Sequence, residues 1–176
     1  KPSFSHTFRA FFNTFKMDHQ VNLFANLNGT LQQNSISNQT SYDEKTGKRY
    51  TRPMNINGNW NINAGLGGGF SFGSNDNFNA NIFANAAYNN SVGFLGTGMN
   101  EDEGLKQTTK TLTLSVSNLS VGYRDEYFDF SLNGSINYNR SRNDQVTTNN
   151  LDTYTFSYGA EADIRTTFGL RFHTDI

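Results

Sequence analysis

Few residues of this 176-residue chain stand at spacings that could do chemistry. Gly69, Ser71 and Gly73 satisfy Gly-x-Ser-x-Gly, the pattern of a nucleophile elbow, which works because a strained strand-to-helix turn exposes the serine. No helical period follows Ser71, which continues a two-residue alternation into a turn, so no nucleophile is expected there. Gly65, Gly67, Gly68 and Gly69 are crowded as in a phosphate-binding loop, but the spacing, the Lys and the following helix are missing. Such glycines in a strand serve bending or close approach. His6, His19 and His173 are scattered and there is no Cys, so no metal pair forms at short spacing. Glu101, Asp102 and Glu103 make an acidic run in the longest loop; a calcium site needs more preorganised oxygens, and the run reads as a solvated tip. Asn-x-Ser/Thr triplets at Asn28, Asn38, Asn89, Asn118, Asn133 and Asn139 fall mostly inside strands, which discounts glycosylation. The expectation is a protein with no catalytic, cofactor or metal site. An enzyme acting on lipid or protein would need paired acid and base near one rim, and three isolated histidines give it little support.

The elements that carry these residues alternate with period two. Ile56, Gly58, Trp60, Ile62, Ala64, Leu66, Gly68, Phe70 and Phe72 interleave with Asn55, Asn57, Asn59, Asn61, Asn63, Gly65, Gly67, Gly69 and Ser71. Successive strand side chains point to opposite faces, so one face is apolar and the other carries amides, a hydroxyl and bare backbone. The same split recurs over 78–88, 128–138 and 154–172. Turn signals alternate between short ones (16–19, 73–76, 124–126) and long ones (43–49, 96–107, 143–150), as in an antiparallel up-and-down meander. Seven long strands are expected, at 3–15, 20–42, 50–72, 77–95, 108–123, 127–142 and 151–172. In the fifth, the apolar phase shifts from Leu112, Leu114 and Val116 to Leu119, Val121 and Tyr123, which predicts a one-residue bulge near Asn118.

Composition suggests which face is inside. Charged residues make up 16% of the chain, below the roughly 25% of soluble domains, while Asn alone numbers 26, so the polar faces suit a hydrated interior better than open water. A net charge of -1 without a basic run argues against nucleic acid. Aromatic residues on the apolar face pair at separations of ten: Trp60 with Phe70, Phe78 with Tyr88, Phe128 with Tyr138, and Tyr158 with Phe168. Ten residues rise ~33 Å, or roughly 24 Å along the normal at a tilt of ~45°, close to the ~25 Å band of an outer-membrane barrel. These eight residues are the expected girdles, with the short turns periplasmic. No charge lies between them; Lys110 and Arg140 sit beside the long loops. On the lumen side Glu161, Asp163 and Arg165 are expected to form a salt-bridged ladder with Arg9, Asp129 or Arg171.

The runs Asn-Gly-Asn-Trp-Asn-Ile-Asn-Ala-Gly from Asn57 and Ala-Asn-Ala-Ala-Tyr-Asn-Asn-Ser-Val-Gly-Phe-Leu from Ala84 resemble the barrel region of Bacteroidetes-type outer-membrane TonB-dependent receptors and related barrels. The resemblance covers most of the chain as strand texture and carries no chemistry. It implies a Gram-negative outer-membrane location, a lipid bilayer around the wall, an imported ligand, and a parent with more strands and a plug inside. No plug or signal peptide is recognised in residues 1–176, seven is an odd strand number, and the reading is one barrel segment of a larger protein. The alternatives are a complete small eight-stranded barrel, with one strand missed, and a soluble β-domain that binds a partner through its loops or sheet edge.

Overall fold

The computed structural model describes residues 1–17, 20–42, 45–94, 106–167 and 169–176. Among them are ten strands: β1 (Phe4–Lys16), β2 (Val21–Gln33), β3 (Ser35–Tyr42), β4 (Arg49–Ile56), β5 (Asn59–Phe72), β6 (Phe78–Phe94), β7 (Lys106–Arg124), β8 (Phe128–Asn143), β9 (Leu151–Arg165) and β10 (Arg171–Asp175). A 3-10 turn, Thr147–Asn149, precedes β9. No helix among the described residues is long and apolar enough to cross a membrane.

Eight strands form one antiparallel sheet in the order β1-β2-β5-β6-β7-β8-β9-β10, and β3 pairs with β4. The sheet is open: β1 and β10 are its edges. The all-β antiparallel meander is as the alternation predicted, but three of the seven expected strands are each broken in two. The second and third break at one level. Gln32 pairs with Asn59 and Ser35 with Ile56, so β2/β3 and β4/β5 keep a single register across a kink. At the kink Asn34 has φ 54 and Gly58 has φ 113, left-handed conformations that interrupt a ladder. Neighbouring amides satisfy the released backbone groups. Asn57 Oδ1 accepts from the Asn34 N–H at 2.6 Å, Asn55 Nδ2 donates to the Asn34 carbonyl at 2.7 Å, and Asn90 Nδ2 donates to the Gly58 carbonyl at 2.6 Å. The kink also removes Ile56 from the apolar face that holds Trp60. Ile56 is 2% exposed, the one buried large apolar side chain among the described residues.

The last expected strand, 151–172, turns back on itself. Leu170 donates its N–H to Thr166 Oγ1 at 3.0 Å, Thr166 donates to the Leu170 carbonyl at 2.9 Å, and Gly169 takes φ 90. This makes a fourth short turn. β10 then runs antiparallel to β9, Arg171 opposite Arg165 and Asp175 opposite Glu161.

The bulge in β7 lies where the phase shift predicted it. The register with β8 slips by one residue between Val116 and Leu119 and that with β6 between Ser117 and Ser120, and Asn118 has φ 53. Asn tolerates this conformation better than most side chains. Leu112, Leu114, Val116, Leu119, Val121 and Tyr123 therefore all reach one face.

Candidate functional site

The two faces of the sheet differ in exposure most clearly along β5, and in the reverse sense from a water-soluble core. Along β5, Trp60, Ile62, Ala64, Leu66, Phe70 and Phe72 are exposed, whereas Gly65, Gly67 and Gly69 on the amide face are buried and Asn63 and Ser71 are half-buried. Leu66 is 54% exposed, Ile82 47%, Leu132 50%. The amide face is concave. A trough of about 760 Å³ joins Asn22 and Phe24 of β2 to Asn81, Ser120, Asn133 and Ser157 on strands up to five positions away.

On the exposed apolar face most of the expected aromatic residues gather into two groups. Toward the long-turn end Trp60 stacks on Tyr88 with centroids 5.2 Å apart, and Tyr138 stacks on Tyr154 at 4.7 Å. Toward the short-turn end Phe70, Phe72, Phe78 and Tyr123 form a chain with successive centroids 5.6, 5.2 and 4.9 Å apart. Phe128 lies on the same face, opposite Ile164. The apolar residues between the groups carry no charge.

The register gives these groups a slope. The row from Trp60 runs through Asn90 and Lys110 to Arg142, four residues beyond Tyr138. The row from Phe70 runs through Ala80 and Val121 to Leu132, four residues from Phe128. Both edges of the apolar band thus shift by the same four residues across three strand boundaries. At ~3.3 Å per residue and ~4.8 Å per strand, that is ~13 Å along the strands for ~14 Å across them, a slope of about 43°. Strands of outer-membrane barrels tilt by ~35–45°. A band ten residues long at that slope is ~24 Å tall.

One expected pair departs from this band. Tyr158 lies opposite Gly134, inside the band, and is 91% exposed. Phe168 is outside the described residues, and because β9 ends at Arg165 no strand carries a ten-residue spacing from Tyr158. Tyr154, which the spacing rule passed over, takes the band-edge position on β9, opposite Tyr138. The rule counted along one strand and could not register a turn whose only signals are Thr166 and Gly169.

The amide face is a set of matched polar side chains. Asn63 and Asn85 exchange amide hydrogen bonds at 3.2 and 3.4 Å, Asn81 donates to Ser120 at 3.4 Å, and the Ser135 and Ser157 hydroxyls are 2.6 Å apart. Across this face Gly65, Gly67 and Gly69 leave a groove that neighbouring side chains fill. Asn26 lies over Gly65, Asn81 over Gly69, and Phe24 and Phe83 over Gly67, their rings stacked with centroids 5.8 Å apart. A Cβ on Gly67 would fall 2.3 Å from Phe24 Cζ and 2.9 Å from Phe83 Cδ2. The glycine run is therefore a seat for side chains. Sequence reading missed these two phenylalanines as members of the amide face, although each breaks the Asn alternation. Ser71 remains in β5 opposite Asn79, with no helix after it.

The charges expected to face a lumen form only part of the ladder. Arg171 holds Asp163 with two hydrogen bonds, 3.0 and 2.9 Å, and His173 Nδ1 lies 3.2 Å from the same carboxylate. Asp129 faces Asp163 across β8 and β9 but pairs with Arg124 at 2.6 Å. Glu161 stands opposite Ser131 and Asp175, and Arg165 opposite Arg171, so neither meets an opposite charge across the ladder. Arg9 sits on β1 at the other side of the sheet, opposite Asn28. His6 is opposite Leu31 on β1; His19 and Glu101, Asp102 and Glu103 lie outside the described residues.

In the short turn between β7 and β8, Asp125 caps the backbone. Its Oδ1 accepts from the N–H groups of Tyr127 and Phe128 at 2.8 and 2.7 Å, and the Tyr123 hydroxyl donates to Oδ2 at 2.8 Å. The bonds from Phe128 and Tyr127, then that from Tyr123, hold its carboxyl below the usual carboxylate range.

Comparison with family models, curated proteins and solved structures finds no match to this chain.

Proposed function

We propose that this chain is a wall segment of a β-barrel in the outer membrane of a Gram-negative bacterium, and that it contributes barrel wall and external loops to a TonB-dependent-receptor-like transporter for an imported ligand. It would act by shape and lining, without catalysis. The observation that carries the membrane part is the exposed apolar band, uncharged, edged by aromatic groups and with edges that slope about 43° from the perpendicular to the strands. A soluble sandwich would cover such a face with a second layer; among the described residues none packs there. The receptor part rests on the strand texture of Asn57 to Gly65 and Ala84 to Leu95 and on the open sheet, whose edge strands β1 and β10 do not pair with each other.

A closed eight-stranded barrel is the second reading, favoured by the eight strands of the main sheet. Separation of native membranes followed by immunoblotting distinguishes them. The expected result is an outer-membrane band several-fold heavier than 19.7 kDa. A membrane band near that mass would support the small barrel, and a soluble band would overturn both.

A further inference from the structure

We infer that the outward rim above the aromatic edge, on β7 and β8, binds the anionic phosphorylated headgroup of a membrane lipid; this rests on the membrane reading above. Lys110 and Arg142 are direct cross-strand partners on the outward face, and Arg140 lies two residues along from Arg142 on the same face. Like charges directly opposite one another destabilise a sheet. One carboxylate offsets the three cations. Asp152, opposite Arg140, is held by the Arg142 guanidinium and by the Tyr138 hydroxyl at 3.0 Å. The Arg142 guanidinium is fixed further by the carbonyls of Ser141 and Leu151, at 2.8 and 3.1 Å. Lys110 and Arg140 have no carboxylate within ion-pair distance among the described residues, and both are exposed.

Depth identifies the source of the missing negative charge. Tyr138 and Tyr154 mark the edge of the apolar band; Arg140 and Arg142 are two and four residues beyond Tyr138, and Lys110, paired with Arg142, lies between them in depth because the edge slopes across the strands. That is ~5–10 Å outside the hydrocarbon after allowing for the slope, the layer in which phosphates of lipid headgroups lie. A lipid there can bridge Lys110, Arg140 and the outer side of Arg142 with its phosphate while its chains cover the exposed band below. The stacked tyrosines would carry the junction between the two.

The test uses the full natural protein. It is reconstituted into phosphatidylcholine vesicles with and without phosphatidic acid, and lipid retention is read by native mass spectrometry after extraction. Phosphatidic acid is expected to be retained over phosphatidylcholine. The double variant Lys110→Gln with Arg140→Gln should lower that retention by about thirtyfold, the scale of two lost lipid-facing cations. Lys110→Arg should retain it. Neither variant should lower the unfolding midpoint, because the rim lies outside the band and the lost charges only relieve cross-strand repulsion. Equal retention of the two lipids, or no loss in the double variant, overturns the inference while leaving the barrel intact. Displacement by inorganic phosphate at matched concentration would also overturn it, since the site would then take a free anion. A protein that stays in the aqueous phase fails the membrane reading itself.

Discussion

Lysine scanning along β5 tests the inclined band by depth. Leu66 is four residues from Phe70 and six from Trp60, so at ~3.3 Å per residue and a slope of about 43° it lies roughly 10 and 14 Å from the two aromatic edges, near the midplane. Lys there should cost about 2–4 kcal/mol. Ile62, on the same strand and face, is two residues from Trp60 and ~5 Å deep, where a lysine can reach water along its own stem. Its cost should fall to about 0–1 kcal/mol. Asn61, on the amide face, should accept Lys at little cost. Urea unfolding of the lipid-reconstituted protein reads the series. With a slope of about 1–3 kcal/mol per molar, Leu66→Lys should lower the midpoint by on the order of 1–2 M relative to Asn61→Lys. A soluble core would penalise Ile62→Lys as much as Leu66→Lys, since cost there follows packing, not depth. Equal losses at the two positions, or a midpoint unaffected by removal of lipid, would refute the band.

Gly67→Ala should destabilise by about 1–3 kcal/mol, because its Cβ drives apart the Phe24 and Phe83 rings, while Gly93→Ala, with open space at its Cβ, should lose no packing; differential unfolding midpoints decide. Asn118→Val should cost about 1–2 kcal/mol at φ 53 and Asn118→Gly little, and equal effects would remove the left-handed bulge from the account. Asp125 has a lowered folded-state pKa, so its contribution is present above the unfolded carboxylate value and is lost as pH falls through the folded one. Asp125→Asn should flatten the acid limb of a stability-against-pH curve; an unchanged acid limb would contradict the capping role.

Much of this architecture is legible in the residues. Period-two alternation gives the strands and their two faces, because side-chain direction in a strand is strictly local. The bulge at Asn118 is visible for the same reason: one extra residue flips every apolar position after it. The kink at Asn34 and Gly58 was not visible, since Asn55, Asn57 and Asn59 continue the alternation through it, and only the structure reveals that three of these amides serve the broken ladder. The reversal at Thr166 to Leu170 was hidden likewise, the apolar phase resuming at Leu170 and Phe172 as though the strand ran on. Aromatic residues that edge the apolar band were legible where a strand is unbroken, as at Trp60, Phe70, Phe78, Tyr88, Phe128 and Tyr138. Cross-strand facts, the slope of the band and the seating of Phe24 and Phe83 over Gly67, require register, which alternation within single strands does not contain.

The order of the strands bears on how the chain assembles. Each neighbour in the main sheet is also a neighbour in sequence except β2 and β5, and these are brought together by the β3–β4 hairpin inserted between them in one shared register. Contact order is correspondingly low for an all-β chain, and loop-closure entropy is met one hairpin at a time. Once Tyr42 and Arg49 are paired, pairing can run through the kink to Asn22 and Gly69 in one register, so the β3–β4 hairpin can nucleate the longest zipper of the chain.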